Sequence, residues 1–476
     1  MRYDALVIGA GMSGLAAGIR LAQFDRRVAV LERHYVWGGL NSFYKLGGRL
    51  FDTGLHALTN YVPPGTRGVP LTKILRQLRI RHEELRLAPQ RFSEIVFPGL
   101  RLRFSNEFGL FEEEVAAAFP RQRDGFRSLV QAVRDYELSA ERPAAEADAS
   151  ARTRLADYLS DPLLVDALLL PLCYYGSARE GDVDWQQFVI LFRSIFLEGL
   201  ARPEGGIREV LRLLVRRYRA LGGELRMRSG VRRLLLEDGA VRGVELDGGE
   251  ELLADRVLSS AGHAESLRLA GRELPRAQVG RLSFMETISV LDREPATLGY
   301  GPAVAFFNLD DRFRYRVPAE LADPRSGVIS APGNYASEEP LKEGMLRVTL
   351  LADHAGWTGL DESDYRRAKG EWSDRALASV AAVGPDVRPH ETFRDVFTPR
   401  TIERFTGHLH GAVYGSPLKR RDGVTAVPGL YLCGTDQGYL GVIGALLSGI
   451  SMANQHVLAP TASVPSPPGA RLAESR

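Results

Sequence analysis

Two apolar runs, Ala5–Ile8 and Val28–Leu31, have the length of buried strands. The glycine-punctuated stretch between them is long enough for a helix. Residues 1–60 therefore read as strand, helix, strand, turn. Arg91–Phe104 alternates like a hairpin, and the rest of 70–200 is mostly helical. Two stretches there, Leu168–Tyr175 (LLLPLCYY) and Phe188–Leu197 (FVILFRSIFL), are apolar nearly all round, as expected of core or of the wall of an apolar tunnel. Gly205–Leu221 reads as a helix with Ile207, Val210, Leu211, Leu214, Tyr218 and Leu221 on one face, so its arginines form a solvated face. Four short strands follow, Glu224–Met227, Gly230–Glu237, Ala240–Glu245 and Glu251–Ser260, broken by Asp-Gly and Gly-Gly turns. Residues 271–394 mix strands and helices, and 395–460 run strand, loop, long helix. The Ala-rich charged segment 137–154 is expected to be a surface excursion or loose helix, and 461–476 a disordered tail.

Composition narrows the function classes. The chain of 476 residues is 45% hydrophobic, 25% charged and carries a net charge of +2, so nothing favours a nucleic-acid or polyanion partner. Its two cysteines, Cys173 and Cys433, stand in no metal or redox spacing, which points to a reducing cytoplasm without disulfides or zinc. The opening residues run directly into the first strand, leaving no room for a signal peptide. No stretch reaches the roughly 18 uncharged apolar residues of a membrane span.

Candidate chemistry begins at the first turn. Gly9, Gly11 and Gly14 form a G-x-G-x-x-G between strand and helix, with Met12 and Ser13 inside it. Gly9 permits the tight turn, Gly11 lets a pyrophosphate approach the backbone, and Gly14 lets helix pack on strand. The N–H groups and dipole of the helix start would face the phosphates. Glu32 ends the second strand, placed to accept from ribose hydroxyls, with Arg33 beside it. Strand, glycines, helix, strand and acid in that order define a dinucleotide-binding unit. No second such unit is present, so NAD(P)H has no domain of its own.

Further segments bear a resemblance. Gly38-Gly39-Leu40 follows Glu32, and Phe51-Asp52-Thr53-Gly54-Leu55-His56 comes after a hairpin. Pro203-Glu204-Gly205-Gly206 leads into a helix, Val231 starts a strand, and VLSSAG ends at Gly262. Near the C-terminus, PGLYLCGTD carries Gly434 and Asp436, and Gly441-Val442-Ile443-Gly444-Ala445 opens the last helix. Together these resemble the FAD family of amine oxidases, phytoene desaturases, carotenoid isomerases and retinol saturases. That family has Arg after the Gly-Gly pair, where this chain has Leu40. The resemblance implies FAD as cofactor and an α/β fold: a Rossmann-type FAD-binding domain from residues 1–75, 201–270 and 395–460, with an inserted α+β substrate domain from 76–200 and 271–394. It also implies that the backbone at Val231 holds the adenine, that Asp436 reaches the ribityl chain, and that Gly441, Val442 and Ile443 face the flavin edge. Gly38, Gly39, Leu40, Gly54, Leu55, His56 and Gly262 would line the cofactor.

The segment Asp52–His56, Thr398-Pro399-Arg400-Thr401 with Gly411–Gly415, and Gly434-x-Asp436 are closer to the carotenoid-isomerase and retinol-saturase branch. The expected substrate is thus a hydrophobic isoprenoid or polyene, which implies contact with a membrane surface. The electron partner stays open among oxygen, a quinone and a direct reductant, and a redox-neutral isomerisation also fits. His56 and Tyr414 are the candidates for proton donation. His408 and His410 lack metal-ligating companions and read as a strand surface pair. The competing functions are an amine oxidase, for which Tyr431 and Tyr439 could flank the flavin, and a prenyl-binding carrier resembling the GDP-dissociation inhibitors.

Overall fold

A computed structural model describes residues 2–54, 57–137 and 149–459. Its centre is a five-stranded parallel sheet in the order Leu430–Leu432, Val257–Ser259, Ala5–Ile8, Val28–Leu31, Glu224–Arg226. Ala5–Ile8 and Val28–Leu31 are buried along their whole length because both faces are covered, hence their unbroken apolar runs. Ala5, Val7, Val28 and Val30 pack on one face under the helices Met12–Ala22, Ile207–Ala220 and Gly441–Ala453. Leu6, Ile8, Ala29 and Leu31 face a three-stranded antiparallel meander, Val231–Glu237, Ala240–Leu246 and Glu251–Leu253.

The stretch expected as one strand, Glu251–Ser260, is two. Glu251–Leu253 pairs antiparallel with Gly243–Glu245, while Val257–Ser259 joins the parallel sheet beside Leu6–Ile8. Two sheets cannot share a straight strand, so the chain turns between them.

The second layer is a seven-stranded mixed sheet. Its order is Glu391–Phe397, Ser283–Leu291, Gly344–Ala352, Ala322–Ser330, Val304–Asn308, Ser93–Phe97, Leu100–Phe104. Its one parallel pairing joins Val304–Asn308 to Ser93–Phe97. Met285, Phe307, Ile329, Val348 and Leu350 point towards the long helix Glu362–Val383. Phe284, Phe306, Val328 and Leu351 point the other way, into the core formed with helices Pro162–Gly176 and Trp185–Phe192. Those two apolar helices are therefore core elements.

Of the borders set from the sequence, 75/76 falls inside helix Pro70–Leu78 and 394/395 inside strand Glu391–Phe397. Continuous main-chain hydrogen bonding carries both elements across. The tail 461–476 and most of 137–154 lie outside the described residues.

Candidate functional site

The three motif glycines are bare for different reasons. A Cβ on Gly9, whose φ is +96°, would meet Ser260 Oγ at 2.4 Å, and one on Gly14 would lie 1.9 Å from the Gly9 carbonyl. Both are fixed by the protein's own packing. A Cβ on Gly11 would meet nothing nearer than the Gly38 carbonyl at 3.8 Å, and Gly11 has φ −77°, open to any residue. No protein atom demands glycine there. The helix Met12–Ala22 begins without a side-chain cap or an acidic first turn, so its first N–H groups remain free for an anion. This cradle is what a pyrophosphate requires.

Glu32 sits alongside it. One carboxylate oxygen accepts from the Ala10 N–H and the other from the His34 N–H, each at 2.8 Å. The carboxylate is held in place, and each oxygen keeps a lone pair. Ser229 N–H donates to the Glu32 carbonyl, which draws Val231, half-buried, to the same edge. Arg33 lies exposed between Gly230 and Gly407, its guanidinium about where a Gly407 side chain would stand. Gly38 N–H donates to the Ala10 carbonyl at 2.9 Å, and Gly39, at φ +56°, is open to solvent. Leu40 contributes its carbonyl: Thr53 Oγ1 donates to it at 2.9 Å, and a Cβ on Gly54 would strike it at 2.4 Å.

The C-terminal segment meets this edge from the other side. A Cβ on Gly434 would stand 3.0 Å from Ser13 Oγ, and one on Gly449 would stand 2.0 Å from the Ser13 carbonyl, so first and last helices touch backbone to backbone. Gly441, with φ +69°, opens the last helix, followed by buried Val442 and Ile443, again without a side-chain cap. Asp436 is buried, accepting from His263 N–H at 2.5 Å and Ser416 N–H at 2.6 Å. Gly262, at φ +105°, gives the turn that aims the His263 N–H at it. Lys419 Nζ stands 3.8 Å from Asp436 and donates to the Tyr414 carbonyl at 2.5 Å. Burial pulls the Lys419 ammonium below its ordinary pKa, against the opposing pull of Asp436 and Asp184. The Tyr414 hydroxyl donates to the Tyr174 carbonyl, and its ring lies 5.9 Å from that of Phe284.

Sequence reasoning missed the buried ion network beneath the segment Asp52–Gly54. Asp52 accepts from Arg202 at 2.9 Å, from Arg208 at 3.3 Å and from the Ile207 N–H at 3.3 Å. Arg347 pairs with Glu286 within the seven-stranded sheet and donates to the Thr53 carbonyl at 2.7 Å. Only the alternation of strand Gly344–Ala352, with Arg347 among inward-facing positions, could have signalled it. Lys419 gave no signal, since Lys419-Arg420-Arg421 reads as a solvated basic run.

Leu55 and His56 lie outside the described residues. His408 and His410 belong to a turn rather than a strand: His408 Nδ1 is 3.8 Å from Glu265, and His410 Nδ1 lies 2.9 Å from the Gly280 carbonyl. Among the described residues no cluster of His, Cys, Asp and Glu could hold a metal. Tyr431, one of the two aromatics offered for the amine-oxidase reading, stacks on His456 at 4.0 Å between ring centres.

A parallel dinucleotide-binding sheet joined to a mixed-sheet domain, with the N- and C-terminal glycine motifs meeting at one edge, is the architecture of FAD-dependent oxidoreductases. The chain belongs to the flavin containing amine oxidoreductase family, whose model matches residues 12–456, and it is an enzyme with FAD as cofactor. It is 24% identical to the chloroplastic prolycopene isomerase of Arabidopsis thaliana over 95% of this chain and 82% of that protein. It is 29% identical to the all-trans-zeta-carotene desaturase of Myxococcus xanthus over 90% and 88% of the two chains. The fold is similar to that of an oxidoreductase from Methanosarcina mazei, with a TM-score of 0.68 at 18% identity, covering 96% of this chain and all of that one.

Proposed function

We propose that the chain acts on C–C or C=C bonds of a hydrophobic isoprenoid or polyene, as a desaturase, saturase or isomerase. The observation that carries this reading is near-full-length similarity to enzymes named for carotenoids, on a chain whose second domain has a largely apolar, aromatic interior. Bound FAD would supply hydride exchange. Gly11 and the uncapped helix start would hold its diphosphate, Glu32 the ribose, and the backbone at Val231 the adenine. Asp436, with its amide-bonded carboxylate, and the helix opening at Gly441 would hold the flavin end. The protein's own share of the reaction is then alignment and exclusion of water, through Phe284, Phe306 and Tyr414.

No described helix is long and apolar enough to cross a membrane. The proposal includes collection of the lipid-soluble substrate at a membrane surface, since such a substrate partitions there. One experiment tests both points. FAD-loaded protein, with its flavin oxidised under air or reduced by dithionite under argon, is mixed with liposomes carrying an acyclic carotene, and separately with primary amines. The expected result is protein that floats with the vesicles and a carotene changed in conjugation or double-bond geometry by chromatography. Turnover of amines with carotene untouched, or protein that stays wholly in the soluble fraction, contradicts the proposal.

A further inference from the structure

Helix Trp185–Phe192 is apolar except near its start, where Gln187 is carried inward and left 2% exposed. The Gln187 main-chain N–H donates to the Asp184 carboxylate at 2.8 Å, but its side-chain amide meets nothing. Both Oε1 and Nε2 are shielded and unpaired, so turning the amide over repairs neither. The other buried side chains left unmet among the described residues lack a partner at one atom each. None of those borders the cleft that Gln187 lines.

That cleft is half-open and runs between the loop after helix Pro162–Gly176 and the segment Pro417–Lys419. Arg179, Asp184 and Lys419 bring charge to its lining. Arg421 answers the Asp184 carboxylate at 3.1 Å, so the balance around the cleft is positive. Lys419 is buried, and an ammonium has three N–H bonds to place. One goes to the Tyr414 carbonyl, while Asp436, at 3.8 Å, stands beyond hydrogen-bonding distance. Burial works against the Lys419 charge, and a further anion beside it would offset that cost.

A ligand that completes this lining carries negative charge for the cations and an acceptor for Gln187 Nε2. It also carries a donor for Gln187 Oε1, since a buried acceptor left unmet penalises any ligand that cannot supply one. Sulfate has no such donor, and a phosphate monoester loses its last P–OH above about pH 6. Free hydrogen phosphate keeps both charge and hydroxyl. The geometry points to this cleft as a binding site for a small oxyanion that retains an O–H, free hydrogen phosphate being its probe, with Gln187 as the selecting residue. The site goes beyond the polyene reading and does not rest on it.

FAD-loaded protein is used in the test, so that the diphosphate cradle at Gly11 is already filled. Phosphate, sulfate and methyl phosphate are titrated into it at pH 8 and constant ionic strength, by isothermal titration calorimetry. Wild type is expected to bind phosphate at one site, roughly tenfold more tightly than either control. Gln187→Leu is expected to bring the three anions within about threefold of one another by losing phosphate affinity. Sulfate or methyl phosphate bound as tightly as phosphate would overturn the assignment, as would a preference that Gln187→Leu keeps. Wild type that takes up no phosphate would overturn it outright, and this arm decides even where the variant does not fold.

Discussion

Gly11→Val gives a folded chain that no longer holds FAD. The new side chain meets no protein atom nearer than 3.8 Å at its Cβ, and φ −77° suits any residue, so the fold has no reason to object. What the branched side chain fills is the approach of a diphosphate to the free N–H groups of Met12, Ser13 and Gly14. Flavin affinity is expected to fall at least roughly a hundredfold, about 2.7 kcal/mol, with the far-ultraviolet circular dichroism unchanged. Gly14→Val is the control. Its Cβ would sit 1.9 Å from the Gly9 carbonyl, a backbone atom that cannot swing away, so that variant should lose the fold along with the flavin. A Gly11→Val protein that titrates with FAD like the wild type would remove the diphosphate from this turn.

Arg347→Met is the second large effect, and it acts through Glu286. Arg347 is 1% and Glu286 3% exposed, so the substitution takes the cation from a buried carboxylate, which still accepts from Thr349 at 3.1 Å. Removing one partner of such a pair costs about 3–5 kcal/mol. Burial holds the Glu286 carboxyl above its ordinary pKa, and Arg347 opposes that rise. A carboxyl raised in the folded state favours folding below its unfolded pKa and loses that contribution as pH climbs through the folded value. Without Arg347 the folded value rises further, so the melting-temperature deficit of Arg347→Met should be small near pH 5 and grow towards pH 8. Arg347→Met with Glu286→Gln should recover most of the loss at pH 8. Equal deficits at both pH values would show that the pair is not the source of the effect.

The parts of the molecule legible in the sequence are those where backbone chemistry leaves one residue type. Gly9 and Gly14 are glycines because a Cβ would strike Ser260 and the Gly9 carbonyl, and a short apolar run such as Val28–Leu31 must be covered on both faces. The helix Ile207–Ala220 followed from its apolar face. The stretch Glu251–Ser260 misled because no glycine or proline marks the turn at Ala254–Arg256, and only the pairing of its two ends with different sheets divides it. The polar floor under Asp52–Gly54 was hidden for another reason. Arg202, Glu286 and Arg347 come from distant segments, and a charged residue in a strand gives no sign of the partner that allows its burial. Lys419 is the same case, a lysine in a basic run that the fold turns inward to Asp436 and the Tyr414 carbonyl. The resemblance supplied the positions that composition could not, notably Gly434, Asp436 and Gly441, of which Gly434 packs against Ser13.

The flavin content of the purified wild-type chain bears most directly on all of this. One FAD per chain, released intact when the protein is denatured and rebound on refolding, is the expected result. A well-folded chain that stays colourless and takes up no added FAD would contradict it.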